Sequence, residues 1–85
     1  MMFPVRDSGM ILGYGYAEGP VDEGGRRFLK GILAIEFNDG TVWWYRGVPE
    51  GVVASFLMAE SKGRYFIKFI KPAYQGVRAP AEGGK

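Results

Sequence analysis

Between residues 30 and 46 large apolar side chains recur at every second position, Leu33, Ile35 and Phe37 and then Trp43 and Tyr45, on either side of a tight turn. Phe28 to Phe37 (FLKGILAIEF) and Thr41 to Arg46 (TVWWYR) read as two strands. Asn38-Asp39-Gly40 between them is a hairpin signal. A three-residue loop with Gly40 left-handed pairs Phe37 with Thr41, Ile35 with Trp43 and Leu33 with Tyr45. Leu33, Ile35, Phe37, Trp43 and Tyr45 then form the core face, and Ile32, Ala34, Glu36, Val42, Trp44 and Arg46 the other. A two-residue Asp-Gly loop would slip the register by one and exchange the faces.

Upstream, Ser8 to Ala17 (SGMILGYGYA) reads as a first strand, whose glycines suggest a bend or bulge. Gly13-Tyr14-Gly15 lacks the third glycine and following helix of a nucleotide fingerprint. Glu18 to Gly25 is a loop by composition. Downstream the period changes to that of a helix. Pro49 suits a first turn, Val52, Val53, Phe56, Leu57 and Ala59 form one stripe, Lys62 falls in the last turn and Gly63 offers a left-handed stop. The run RYFIKFIKP sorts best as a second, short amphipathic helix, with a strand as the alternative. Tyr65, Phe66, Phe69 and Ile70 lie on one side, Arg64, Lys68 and Lys71 on the other, and Pro72 ends it. Tyr74 is expected to dock on the core. The predicted fold is α+β: a three-stranded antiparallel meander followed by one longer and one short helix, β-β-β-α-α. Residues 1–75 form one domain and residues 76–85 a flexible basic tail.

Composition narrows the chemistry. The chain has 85 residues, thirteen of them aromatic, and neither cysteine nor histidine. It therefore has no disulfide, no thiolate metal site, and none of the usual general base or pH switch. No carboxylates form an evident pair. No catalytic, metal or cofactor site is expected, and an enzymatic role is disfavoured. No apolar run approaches the ~18 residues of a membrane span, and the N-terminus lacks the features of a signal peptide. The expected location is cytoplasmic.

Charge is unevenly spread. Residues 1–61 carry five basic and eight acidic side chains, whereas residues 62–85 carry six basic ones and a single acid, Glu82. A solvated surface with a frayed tail accounts for this. So does an anion-facing patch built from Lys62, Arg64, Lys68 and Lys71. Trp44 and Arg46, sharing the second strand face, join them as candidate binding residues, because an aromatic on an open sheet can stack a base. Were the helices to cover that face, Trp44 would be core instead.

The same residues resemble the KTSC domain, a short module found at the C-terminus of some lysyl-tRNA synthetases and as a stand-alone small protein. The resemblance rests on Ser8, Ile11, Gly13 and Tyr14, then Glu36-Phe37, Asn38-Asp39-Gly40, Trp43-Trp44-Tyr45 and Val48-Pro49, then Ala59, Ser61, Gly63, Tyr65, Phe66, Ile70 and Tyr74. Trp43 departs from a tyrosine of the pattern, Ile67 and Phe69 stand where relatives often have polar residues, and the loop 18–27 is longer than usual. The resemblance implies RNA as a partner. The expected function is a non-enzymatic module that binds nucleic acid, RNA favoured. The alternative is a protein-interaction module, of the kind phages encode, that modulates a host transcription or translation complex.

Overall fold

The computed structural model describes residues 2–6, 8–18 and 30–79. The chain forms one antiparallel sheet, β1 (Phe3–Pro4), β2 (Ile11–Glu18), β3 (Lys30–Phe37), β4 (Val42–Pro49) and β5 (Gly76–Arg78), in sequential order across the sheet. Helices α1 (Glu50–Met58) and α2 (Lys62–Tyr65) follow β4, and α2 runs on into a π-helical turn, Phe66–Ile70. The α+β class and the meander agree with the sequence. The strand count does not: there are five strands, not three, because two short edge strands flank the meander. The sequence loop at 18–25 lies outside the described residues beyond Glu18, as do Phe28 and Leu29 of the expected second strand.

The hairpin register is the one read from the alternation. Leu33 pairs with Tyr45, Ala34 with Trp44 and Ile35 with Trp43. Gly40 has φ +89°, and its amide donates to the Phe37 carbonyl at 2.9 Å, closing the three-residue loop. The Thr41 hydroxyl and amide donate to the Asp39 carboxylate at 2.7 and 2.9 Å, which holds that carboxyl below its ordinary value of 3.8.

Two irregularities decide which side chains face inward. On β4 the register shifts between Tyr45 and Val48, where Gly47 adopts φ +71°. This inserted residue restores Val48 to Tyr45's side, so both are buried despite being three apart. On β2 a shift between Ile11 and Gly13 lets Leu12 bulge outward, while Ile11 and Tyr14 both turn toward the helices. The first strand accordingly begins at Ile11 rather than Ser8. The Ser8 hydroxyl instead accepts from the amides of Met10 and Ile11 at 3.2 and 3.1 Å, fixing the turn into β2.

The core lies between one sheet face and the helices. Ile11, Leu33, Ile35, Val48, Phe56 and Ile70 are fully buried there. The Phe66 ring sits edge-on to both Phe37 and Tyr45, at 5.3 and 5.2 Å between centroids. Tyr74 packs against this cluster as expected.

The helical segment departs from the sequence reading at Gly63. The first helix does not run to Lys62: Ala59 is extended (φ −68°, ψ 142°), and the chain restarts at Ser61, whose hydroxyl accepts from the Arg64 amide at 3.3 Å. Gly63 is therefore not a left-handed stop. It is buried inside α2, where an added Cβ would stand 3.3 Å from Met10 Cε and 3.5 Å from Ser8 Oγ. It lets the helix approach the turn before β2. Downstream, the Lys71 amide donates to the Phe66 carbonyl five residues back, at 2.8 Å. That wider turn changes the facing of the aromatics. Phe66 and Ile70 are buried, but Phe69, expected inside, is half exposed. Finally, residues 76–78 are not tail but strand, paired with β4.

Candidate functional site

The sheet has two unlike faces. Opposed residues across the ladders share a face, so one face presents Tyr14, Leu33, Ile35, Trp43 and Tyr45 to the helices. The other has no layer over it among the described residues. Its central column runs across β2 to β5 through Gly15, Ala34, Trp44 and Val77, and Met2, just before β1, borders it beside Gly15. Trp44 is 41% exposed. Its indole borders two open hollows of about 850 and 370 Å³, with Ala34 and Met2 shared between them. Glu36 lines the larger hollow at one end of this face. Arg46 stands on the other side of Trp44 from Glu36, exposed, one residue beyond Tyr45 and therefore on Trp44's face.

The basic candidates lie elsewhere. Arg64, Lys68 and Lys71 are exposed on the helical layer, and Lys62 is partly buried there. Since that layer packs on the inner sheet face, its solvent side points away from Trp44. The six residues singled out from the sequence thus divide into a pair, Trp44 and Arg46, and a group, Lys62, Arg64, Lys68 and Lys71, on opposite surfaces of a two-layer molecule. No single rigid ligand surface touches both sets.

Arg64, Lys68 and Lys71 fall four and three residues apart in the segment that carries the π-helical turn, and all three are exposed. Residues 62–71 contain no acid. Ile67 and Phe69 are exposed beside them, at 54% and 50%. Phe69 packs on the Tyr65 ring at 4.8 Å, and Lys68 Nζ lies 5.5 Å from its centroid. This surface is therefore both basic and aromatic. The sequence did not reveal Phe69 as a surface residue, because a strict 3.6 period places it inward; only the π-helical turn releases it. Nor did it reveal Met2, Gly15 and Val77 as part of the open face, since that required the two edge strands.

Among the described residues, no three His, Cys, Asp or Glu side chains gather where a metal ion could sit. No helix there is long and apolar enough to cross a membrane. Among the described side chains, no buried nitrogen or oxygen lacks a partner.

Comparison with known proteins places this geometry among relatives. A protein of Stutzerimonas stutzeri is 42% identical over 43 residues, which cover 51% of this chain and 61% of that one; a protein of Tsukamurella paurometabola is 39% identical over 46 residues, 54% of this chain and 69% of that one. The crystal structure of the KTSC domain protein YPO2434 from Yersinia pestis superposes with a TM-score of 0.69 at 32% identity, covering 94% of this chain and 97% of that one. The model of the KTSC domain matches residues 27–74, and the chain belongs to that family.

Proposed function

We propose that this protein is a non-enzymatic module that binds single-stranded nucleic acid, RNA favoured, through its helical layer. One observation carries the reading: Arg64, Lys68 and Lys71 form an exposed row within a segment free of acids, beside the half-exposed Phe69. Each cation can hold one phosphate, and the aromatic adds contact area that does not depend on base identity. Lys62 extends the row at its N-terminal end. RNA is favoured over DNA by the occurrence of KTSC domains at the end of some lysyl-tRNA synthetases. A chain without histidine or cysteine lacks the commonest general base and the thiol nucleophile, which supports binding over catalysis.

The test is fluorescence titration with a short single-stranded RNA, its DNA counterpart and a duplex. Three phosphate contacts predict a fall in affinity of roughly 20-fold between 50 and 200 mM salt. Absence of binding at the lower salt refutes the reading.

A second reading, a protein-interaction module acting on a transcription or translation complex, draws on a different observation. Trp44 and Arg46, residue types favoured at binding hot spots, are both exposed on the sheet face opposite the helices. Capture of one such complex from lysate that survives nuclease and is lost on Trp44→Ala supports it; capture abolished by nuclease returns the first reading.

A further inference from the structure

We propose that the open face of the sheet is the contact between two copies of this chain, joined sheet to sheet. The argument begins with alternation. In an antiparallel sheet with one solvated face, every second position along each strand is polar, so that face is polar throughout. Here the face is mostly apolar or glycine: its central column is Gly15, Ala34, Trp44 and Val77, bordered by Met2, and of these Met2, Trp44 and Val77 are exposed to solvent. Such a face fits a second apolar layer rather than water.

The charges on the face identify that layer. Glu36, opposite Val42, and Arg46 lie on either side of Trp44 along the strands, Glu36 toward the hairpin and Arg46 toward the bulge at Gly47. A two-fold axis lying between two such sheets, and running across the strands, turns one sheet end for end over the other. Glu36 of each copy then comes to the end that holds the partner's Arg46, on the neighbouring strand. The interface is isologous, with two equivalent ion pairs bracketing an apolar centre. Sheets pack face to face about 10 Å apart, and the hollows beside Trp44 leave room for opposing side chains. Nucleic acid suits this face less well, since Glu36 and Asp39 border the larger hollow together with Arg78 and leave it mixed in charge rather than basic. Dimerisation leaves both helical layers pointing outward, so it is independent of the nucleic-acid reading.

Three strands of eight residues flanked by two short ones, at roughly 16 Å² per residue, give a footprint of roughly 450 Å² per copy. Over both copies that is about 900 Å², in the range of weak, transient contacts, so a dimer that forms only at high concentration is expected. Sedimentation equilibrium of the full chain from about 1 to 500 µM should show mass rising from monomer to dimer. Trp44→Glu should hold the chain monomeric throughout with an unchanged circular dichroism spectrum. The charge exchange keeps the test sound if that variant misfolds: Glu36→Arg should weaken association at least tenfold, and Glu36→Arg combined with Arg46→Glu should restore it to within threefold. A monomer at every concentration overturns the proposal. So does a dimer indifferent to these variants, or loss of RNA binding as the sole effect of altering Trp44.

Discussion

Gly76 lies directly against the ring of Tyr45. The two are paired across β4 and β5, and a Cβ on Gly76 would come within 2.8 Å of Tyr45 Cζ, with Cε2 closer still. The ring cannot easily yield, because it is buried and edge-on to Phe66 at 5.2 Å. Gly76→Ala should therefore destabilise the fold by about 1–3 kcal/mol, as overpacking does. Gly51, in the first turn of α1 where an added Cβ would point into open space, is the contrast: Gly51→Ala should stabilise by about 0.5–1 kcal/mol. Urea denaturation of both variants checks the pair. Equal effects would show that β5 does not pack on Tyr45.

The restart at Ser61 is a second point of dependence. Its hydroxyl accepts from the Arg64 amide, and its carbonyl accepts from the Tyr65 amide at 3.0 Å. Ser61→Ala should cost about 0.5–2 kcal/mol, and Ser61→Asp, which keeps an acceptor, should recover most of it. Denaturation midpoints of the two variants decide the matter; a Ser61→Asp protein no better than Ser61→Ala would mean that the cap contributes nothing.

Much of this was legible in the chain. The meander's register followed from Phe37, Thr41 and the loop between them, because a buried face tolerates no slip. The same alternation puts Trp44 on the face opposite Tyr45, but leaves open which face the helices cover. What the sequence concealed are features set by contacts between distant segments. Gly63 reads locally as a helix stop, yet its lack of a side chain serves Met10 and Ser8, more than fifty residues away. Val77 sits in a stretch with the composition of a tail, and only the flank of β4 makes it a strand. Phe69 followed helical spacing inward until the π-helical turn moved it out. The candidate site was legible as residue types but not as a surface: sequence cannot tell that Trp44 and Lys68 stand on opposite sides of a sheet.

Burial raises the Tyr45 hydroxyl above its ordinary value of 10.0. The folded protein thus holds this proton more tightly than the unfolded chain does. Stability from Tyr45 is complete below about pH 10 and is lost as the pH rises through the higher folded value. Tyr45→Phe should flatten this alkaline fall. Thermal melts between pH 8 and 11.5, with tyrosinate absorbance followed in parallel, give the comparison; identical profiles in the two proteins would place the alkaline transition elsewhere.

The separation of the two surfaces gives nucleic-acid binding a sign that a diffuse positive charge would not. If the helical row holds phosphates, Lys71→Gln should remove one contact and reduce the salt slope for single-stranded RNA by about 0.7. Arg46→Gln removes the same unit of charge from the far side of the sheet, so it should leave that slope unchanged. Both residues are exposed, so both variants should stay within about 0.5 kcal/mol of the parent's stability. Equal slopes lost from both would mean that RNA responds only to net charge. A loss confined to Arg46→Gln would assign the strand to the sheet, with Trp44 as the stacking platform and the helical row as a solvated surface.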